Sequence, residues 1–309
     1  MSRSPQEMAA WLENLAVDFL NGPENDLGMP GGPEPAFGPP LVGFAAGDDP
    51  VWARFKEVVH PQHWTPAEAY QEAFGEKAPA RLSVMAWVLP QTEATRADQR
   101  KEDRLPGERW VRNRFLGHGR ACDGLAKSLI SQLAEMGVKA AAPEMLPSWG
   151  WLLEGGPRGV ATQWSQRHVA FAAGLGTFGL SDGLITEVGK ANRIGTLLLA
   201  ADLPPTSRAY REPYENCLYH NSGACGKCVK RCPALAISKE GGHDKDICRQ
   251  YLYGQSRPWM VETWPEFTGG PDDPSGAFTR APKIVACGLC QVSVPCEKGV
   301  PPRPKPKAR

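Results

Sequence analysis

The arrangement of the cysteines constrains this chain more than any other feature of its sequence. Eight of the nine cysteines lie between Cys217 and Cys296, and only Cys122 precedes them. They are spaced as Cys217-x7-Cys225-x2-Cys228-x3-Cys232-Pro233 and as Cys248 followed by Cys287-x2-Cys290-x5-Cys296. A Cys-x2-Cys turn brings two thiolates to one metal centre, and Cys-x3-Cys-Pro is the end of a bacterial ferredoxin run. Eight thiolates are what two 4Fe–4S clusters require, and we predict two such clusters.

Two other uses of these cysteines remain open. Cys225-x2-Cys228 and Cys287-x2-Cys290 fit a four-cysteine zinc site, but that site leaves four cysteines without a role and does not explain Cys232-Pro233. A disulfide framework is typical of a small secreted domain with an export signal, and the sequence indicates neither.

Length and charge set broader limits. A chain of 309 residues favours two domains, at about 150 residues each. The net charge of +1, from 35 basic and 34 acidic residues, gives no global field that would favour nucleic acid or an anionic membrane. The start, Met1 to Pro5, lacks a signal core, and no apolar run approaches the ~20 residues of a membrane helix. We therefore expect a cytoplasmic protein.

The region before residue 80 reads as a packing or capping segment. Ser4-Pro5 opens an amphipathic pattern typical of a capped helix, and Thr65-Pro66 opens another. The glycine- and proline-rich stretch 21–40 is predicted to be a loop. Nothing in this region suggests chemistry.

The next region, residues 80–210, has the features of a mixed α/β domain. The apolar run Arg81–Pro90 predicts a central strand covered on both faces. The polar stretch Gln91–Glu108 is predicted to be a solvated loop, and Arg120–Met136 a helix that ends at Gly137. Further strands are predicted at 138–142, 184–186 and 194–200.

A glycine-spaced block follows a helix at Trp164–Ala173. Gly174, Gly176 and Gly179 fit the string G-x-G-x-x-G, but a dinucleotide site requires this string after a strand and before a helix. Two interpretations remain: the backbone approaches a flat or bulky group, because glycine lacks a Cβ, or the block is a tightly packed turn.

Taken together, the two blocks resemble the epoxyqueuosine reductases and, more distantly, the corrinoid reductive dehalogenases. The glycine block with Leu184-Ile185-Thr186 and Leu203-Pro204-Pro205 resembles the family's core. The cysteine motifs follow in the family's order, with Cys248-Arg249-Gln250-Tyr251-Leu252 between them. The match covers roughly residues 115–296.

This resemblance implies a nitroreductase-like, cobalamin-binding α/β domain followed by a ferredoxin-like domain with two 4Fe–4S clusters, an α+β architecture. The implied boundaries are 1–79 for the capping segment, 80–210 for the cofactor domain, 211–300 for the cluster domain and 301–309 for a flexible tail. Electrons would pass from the clusters to cobalt and give a low-potential cob(I)alamin. The external donor would be a ferredoxin or flavodoxin.

The resemblance also implies site residues. One cluster would take Cys217, Cys225, Cys228 and Cys296, and the other Cys232, Cys248, Cys287 and Cys290. The implied cofactor-binding residues are Arg167, Gly174, Leu175, Gly176, Thr177 and Gly179.

The chain departs from the family pattern at several positions. The usual first cysteine falls on Ser222 and the usual closing Cys-Pro on Val294-Pro295, so Cys217 and Cys296 must substitute in one and the same cluster. We expect a reshaped loop environment and a shifted potential for that cluster. The family's proton-donating aspartate falls near Val160, where there is no acid, and tRNA is a doubtful substrate.

Several single residues are candidates for roles near the site. Asp123 and Tyr219 are candidate proton donors, and Cys122 reads as a small buried helix residue. His168 reads as a helix-capping residue that alternatively faces a cofactor, and His220 and His243 are alternative cluster ligands. Five tryptophans are candidates for an apolar substrate pocket: Trp149, Trp151, Trp164, Trp259 and Trp264.

Three functions from different classes follow. The first is a cobalamin-dependent reductase acting on a small molecule or modified nucleoside. The second is an electron-transfer protein without an organic cofactor, and the third is a flavin-dependent reductase. The order of the glycine and cysteine blocks favours the first, and the missing acid favours the second.

Overall fold

The computed structural model describes residues 3–268 and 284–302, so most of the predicted tail lies outside the described residues. The α-helices are α1 Pro5–Leu20, α2 Val51–Val58, α3 Pro66–Phe74, α4 Glu93–Arg100, α5 Glu108–Arg112, α6 Gly124–Glu135, α7 Gln166–Ala172, α8 Leu218–Ser222, α9 Lys227–Arg231, α10 Lys245–Tyr251, α11 Arg257–Thr263 and α12 Pro265–Thr268. The strands are β1 Leu41–Ala46, β2 Ser83–Pro90, β3 Ala140–Ala141, β4 Trp151–Leu152, β5 Ala161–Thr162, β6 Gly176–Phe178, β7 Leu184–Thr186, β8 Asn192–Leu199, β9 Ile237–Ser238 and β10 Gly242–His243. Short π-helices occupy Asn113–Asp123 and Leu252–Ser256, and 3₁₀ turns occupy Pro143–Met145 and Leu289–Gln291.

The centre of the fold is an antiparallel sheet with strand order β1-β2-β8-β3. Every residue of β2 is buried, in agreement with the predicted central strand. Side chains alternate along a strand, so Met85, Trp87 and Leu89 belong to one core, and the residues between them belong to the opposite core. Gly195 lies opposite Trp87 in β8. A Cβ at Gly195 would lie 2.4 Å from the indole ring, so only glycine leaves room for it.

Helices cover both faces of this sheet. Helix α1 begins with a capping box in which Ser4 and Glu7 satisfy each other's backbone N–H groups, and it packs with α6 on the Trp87 face. Helix α3 begins with the same device at Thr65 and Glu68. It packs with α2 and α7 on the other face. The fold is therefore a mixed helix and sheet structure, and the predicted N-terminal helices are present.

The cysteine-rich region packs directly against this layered part. One small core contains Leu180, from the turn between β6 and β7, and Ile185 of β7. The same core contains Cys217, Cys228 and Cys232. A second core joins Trp110 and Ala191 to Met260, Ala286 and Val292. Residues on both sides of position 210 thus share the same cores.

Two segments differ from the sequence-based predictions. The stretch predicted as a solvated loop contains helix α4, whose inward positions are the polar Thr95 and Gln99, so it lacks the apolar periodicity of a helix. The helix predicted from Arg120 begins earlier, because a π-helix from Asn113 to Asp123 runs directly into α6. Gly137 follows α6 with φ of 72°, as predicted for a C-terminal cap.

Among residues 3–268 and 284–302, no helix combines the length and the apolar character needed to cross a membrane.

Candidate metal centres and cofactor cavity

Four cysteines converge on one cavity, which we call the cysteine cavity. Cys217, Cys225, Cys228 and Cys296 all line it. Cys217 is the residue before α8, Cys228 lies in α9, and Cys296 comes from the segment after the last 3₁₀ turn. The structure therefore brings together the four residues predicted as one cluster's ligands, including the two displaced positions. Ser222 points elsewhere: its hydroxyl donates to the Leu218 carbonyl oxygen at 2.8 Å.

The remaining four cysteines form a second group. Burial raises the pKa of Cys287, and the nearby Cys290, Cys248 and Cys232 raise it further. Burial raises the pKa of Cys248 to about 12, with Cys290 and Cys232 again contributing. Such mutual effects require these thiols to lie close together. Cys228 lies in α9 and Cys232 directly follows this helix, and Cys290 also raises the pKa of Cys228, so the two groups adjoin.

The spacing of the thiols disfavours the zinc interpretation. A tetrahedral zinc with Zn–S bonds of about 2.3 Å would hold its sulfur ligands about 4 Å from one another. In the part of the chain that the structure describes, the one set of three potential ligand atoms all within 4.8 Å of one another is His118, Cys122 and Asp123. No three of the eight clustered cysteines are that close, and all nine cysteines are free.

The two histidines proposed as alternative ligands lie outside the cysteine cavity. The His220 ring packs on Tyr214 with ring centroids 4.4 Å apart. The His243 ring faces the Asp182 carboxylate, with Nδ1 and Oδ2 3.3 Å apart. Neither residue is needed to complete a set of four ligands.

A second, larger cavity of about 790 Å³ lies beside the second cysteine group, and we call it the large cavity. It is lined by Arg167, His168 and Phe171 of α7 and by Phe178 of β6. Cys248 of α10 also lines it. The His168 imidazole accepts or donates a hydrogen bond with the Ser165 hydroxyl at 2.8 Å, and burial lowers its pKa well below the usual range. His168 is therefore a neutral wall of this cavity rather than a helix-capping cation.

The wall of the large cavity is strongly cationic. Among the described residues, seven lysines and arginines line this cavity, compared with two acidic residues, Glu57 and Asp182. The seven cations are Arg54, Arg158, Arg167, Arg208, Arg211, Lys245 and Arg249. Arg208 pairs with Asp49, and Arg158 lies 3.5 Å from Asp182. The other five form no ion pair with a described carboxylate. An anionic ligand or an anionic part of a ligand suits this surface.

The glycine block packs mainly against other parts of the protein, which is one of the two interpretations of its sequence. Gly174, Leu175, Gly176 and Thr177 do not line the large cavity. A Cβ at Gly176 would lie 2.3 Å from the Ile185 carbonyl oxygen, so this glycine permits close packing of β6 on β7. The Thr177 hydroxyl accepts the Asn216 N–H at 2.8 Å, and Leu175 is in the core.

The end of this block separates the two cavities. Phe178 lines the large cavity, whereas the next residue, Gly179, lines the cysteine cavity. Of the six predicted cofactor-binding residues, Arg167 is the one placed at the large cavity. Gly179 lines the cysteine cavity, and the other four pack against protein.

The candidate acids are placed unequally. Asp123 ends the long π-helix, and its Oδ1 lies 3.5 Å from Nε2 of His118. Burial raises the pKa of Asp123 to about 6, although Arg114 and Lys127 act in the opposite direction. This value is suited to proton transfer near neutral pH. The Tyr219 hydroxyl is committed to the Lys239 carbonyl oxygen at 2.7 Å, and Cys122 is buried, with burial raising its pKa. Asp123 is the better candidate of the two.

The tryptophans mostly fill cores. Trp164 is buried, and its indole N–H donates to the Thr196 hydroxyl at 2.9 Å. Trp259 and Trp264 pack on each other with ring centroids 4.8 Å apart. Of the five candidates, Trp151 is the one that lines the large cavity.

Sequence reasoning missed the residues that hold the cysteine segments in place. Gln99 donates to the Cys287 carbonyl oxygen at 2.7 Å, and Arg100 contacts Glu297, next to Cys296, at 2.7 Å. Lys190 lines the cysteine cavity, and its N–H donates to the Cys296 carbonyl oxygen at 2.8 Å. These residues are far from the cysteines in sequence and form no motif with them.

The chain was compared with known proteins. No family model matches the chain. Over 137 residues, 44% of this chain, it is 27% identical to an epoxyqueuosine reductase of Bacillus anthracis. The resemblance predicted from the sequence is confirmed. The aligned region spans only 30% of that relative.

The fold was also compared with solved structures. An epoxyqueuosine reductase from Streptococcus thermophilus is 12% identical with a TM-score of 0.47, and the match covers 96% of this chain and 68% of that one. A reductive dehalogenase described in connection with B12-dependent dehalogenation is 14% identical with a TM-score of 0.49. That match covers 82% of this chain and 30% of the dehalogenase.

Proposed function

We propose that this protein is a reductase that holds two 4Fe–4S clusters and a corrinoid, and that it acts on a small molecule or a modified nucleoside. The observation that carries the proposal is the junction at Cys248. This residue belongs to the second cysteine group and also lines the large cavity. Cluster ligands and cavity thus meet at one residue, as a protein that delivers electrons to a bound organic cofactor requires.

The residues present fit both kinds of cofactor. Cys217, Cys225, Cys228 and Cys296 would hold one cluster, and Cys232, Cys248, Cys287 and Cys290 the other. The large cavity, with its mixed aromatic and cationic wall, would hold the corrinoid. A bound corrinoid supplies low-potential reductive chemistry at its cobalt.

The chain's own residues supply the surroundings for this chemistry. Phe171 and Phe178 present apolar surface that excludes water from the large cavity. Arg167 and Lys245 both line the large cavity. They would orient an anionic group of the ligand. Asp123, whose pKa burial raises to about 6, does not line the large cavity and so supplies no proton there directly.

Elemental analysis of protein purified without oxygen from cells supplied with cobalamin tests the proposal. We expect about eight irons and about one cobalt per chain, with the visible spectrum of both cofactors. Eight irons with no cobalt, and no uptake of added cobalamin, would leave the electron carrier or a flavin enzyme. Zinc in place of iron would overturn the cluster assignment.

Cysteine variants test the two ligand sets. Cys217→Ser and Cys296→Ser each remove a proposed ligand of the same cluster, so we expect each to retain about four irons. The double variant should lose no more iron than either single variant, because both changes affect one cluster. Cys122→Ser is the matched control and should retain about eight irons. An additive loss in the double variant would contradict the assignment.

A further inference from the structure

Lys190 is a buried lysine on the wall of the cysteine cavity. Only 2% of its surface is exposed. Its stem packs on Gly183, where a Cβ would lie 2.7 Å from Lys190 Cδ. Its Nζ donates to the Ser181 hydroxyl at 3.0 Å. The side chain is therefore fixed along its whole length, with its ammonium group inside the protein.

The charge of this ammonium group has no carboxylate partner. Within residues 3–268 and 284–302, no ion pair joins Lys190 to an aspartate or glutamate. Lys190 lines the same cavity as Cys217, Cys225, Cys228 and Cys296. An isolated buried charge is very costly, so Lys190 requires negative charge from its surroundings. The thiolates that line the same cavity are the described groups able to supply it.

We propose that Lys190 is an electrostatic positioning residue that raises the reduction potential of the cluster held by Cys217, Cys225, Cys228 and Cys296. This inference rests on the proposed function, because it requires that cluster. Reduction adds one negative charge to a cluster and its four thiolates. A fixed cation close by in a low-dielectric interior stabilises the reduced form more than the oxidised form. The potential of this cluster therefore rises.

The position of Lys190 gives the electrons an entry point. The cysteine cavity adjoins the second group through α9, and the second group reaches the large cavity through Cys248. A one-electron donor of the ferredoxin or flavodoxin class would reduce the Lys190 cluster first. Each electron would then pass to the second cluster and to the contents of the large cavity. The donor is oxidised by one electron at each transfer, and no bond forms or breaks.

Potentiometric titration with electron paramagnetic resonance tests this role. In Lys190→Met, which removes the charge but keeps the length of the side chain, we expect one of the two cluster potentials to become more negative. The other cluster should change less. Lys190→Arg, the matched control, keeps the charge and should keep the wild-type potential. Unchanged potentials in Lys190→Met at full iron content, or equal shifts in both variants, would overturn the proposal.

A second pair of variants leaves Lys190 in place. Ser181→Asp puts a carboxylate beside Nζ and neutralises the ammonium charge, so the same cluster potential should become more negative. Ser181→Asn has a similar size without the charge and is the control. This pair decides the question if Lys190→Met does not assemble. A negative shift in Ser181→Asn as large as in Ser181→Asp would contradict the electrostatic explanation.

The measurement is made on the full chain with its clusters and without added cobalamin. A protein that binds no cobalt can therefore still support or overturn the role of Lys190. Normal iron with unshifted potentials would overturn this inference alone, whereas a protein that never binds iron would overturn both it and the proposed function.

Discussion

His63 lies at the centre of an aromatic cluster beneath the large cavity. Its ring stacks on Trp164 at 6.2 Å between centroids, and the edge of Phe55 meets it at 5.6 Å. Its Nε2 accepts the backbone N–H of Ser165 at 3.1 Å. Burial lowers the pKa of His63 to about 4, so the ring is neutral at physiological pH.

This lowered pKa makes stability depend on pH. The unfolded chain protonates His63 near pH 6.5, whereas the folded protein resists protonation until about pH 4. The unfolded state therefore binds more protons over this range, and the stabilisation present above pH 6.5 is lost as the pH falls towards 4. We expect His63 alone to account for a loss of about 3 kcal/mol in the free energy of unfolding. Anaerobic denaturant titrations at a series of pH values measure it.

His63→Gln is the comparison for this prediction. Glutamine keeps an acceptor for the Ser165 N–H but does not titrate. The variant should lose less stability than the wild type between pH 6.5 and 4, even if it is less stable at pH 7. Parallel pH profiles for the two proteins would show that another group is responsible.

Helix α4 connects the layered part of the fold to both cysteine groups. Gln99 accepts the Gly107 N–H at 2.9 Å and donates to the Cys287 carbonyl oxygen. On the same helix, Nε of Arg96 lies 3.5 Å from Oε1 of Glu297, and Nη2 of Arg100 lies 2.7 Å from the same oxygen. Glu297 also accepts the Ser293 N–H at 2.7 Å, and it is 6% exposed. The segment that carries Cys296 is thus held by a buried carboxylate.

Glu297→Gln should therefore weaken the cluster that includes Cys296. The change leaves the arginines of α4 without a buried counter-charge, at a cost of about 3 kcal/mol. We expect a lower melting temperature and an iron content that falls from about eight towards about four on desalting. Glu93→Gln is the control. Glu93 also pairs with Arg100 at 2.8 Å, but 62% of its side chain is exposed, so its loss should cost little. Equal iron loss in both variants would refute the role of Glu297.

The importance of α4 could not be predicted from the chain. Its buried positions are Thr95 and Gln99, polar residues that give no hydrophobic period, and Gln99 binds backbone groups. By contrast, α1, α3 and strand β2 follow apolar patterns and capping residues, and the structure has them where the sequence predicts them. Apolar periodicity and capping residues indicate which segments pack against a hydrophobic core. They do not report hydrogen bonds to a segment almost 200 residues away.

In the whole molecule, basic and acidic residues nearly balance in number, but they are unevenly distributed. The net charge of +1 indicates no attraction for anions. The large cavity nevertheless gathers seven of the chain's cations against two carboxylates. A protein of almost zero net charge therefore has a positively charged cavity wall where the ligand is proposed to bind.

The cavity should bind anions in a salt-dependent manner. Fluorescence of Trp151, which lines the cavity, can follow the binding of inorganic pyrophosphate as a probe. We expect the double variant Arg54→Glu/Arg211→Glu to weaken binding by more than tenfold at low salt, because two attractions become repulsions. High salt should reduce this difference. Arg81→Glu/Lys101→Glu reverses two exposed cations outside the cavity wall and should bind as the wild type does. Identical affinities in the two double variants would contradict the local field.

Sequence reasoning reached the site in part. The cysteine spacing predicts two clusters, and the family resemblance implies the division into two sets of four. Four of these cysteines, Cys217, Cys225, Cys228 and Cys296, line one cavity. The glycine block was harder to interpret, because a glycine that admits a ligand and one that admits a neighbouring strand look alike in sequence. Gly176 meets the backbone of Ile185, a contact that depends on how β6 and β7 pair. The cations of the large cavity come from distant segments and become a site only when the chain is folded.

The convergence of Cys217 and Cys296 on one cavity has a consequence for biosynthesis. On the proposed ligand set, the first three ligands of this cluster leave the ribosome well before the fourth. A cluster delivered to the growing chain would meet three cysteines and an unclosed site. Maturation of this centre would therefore wait until translation has passed residue 296.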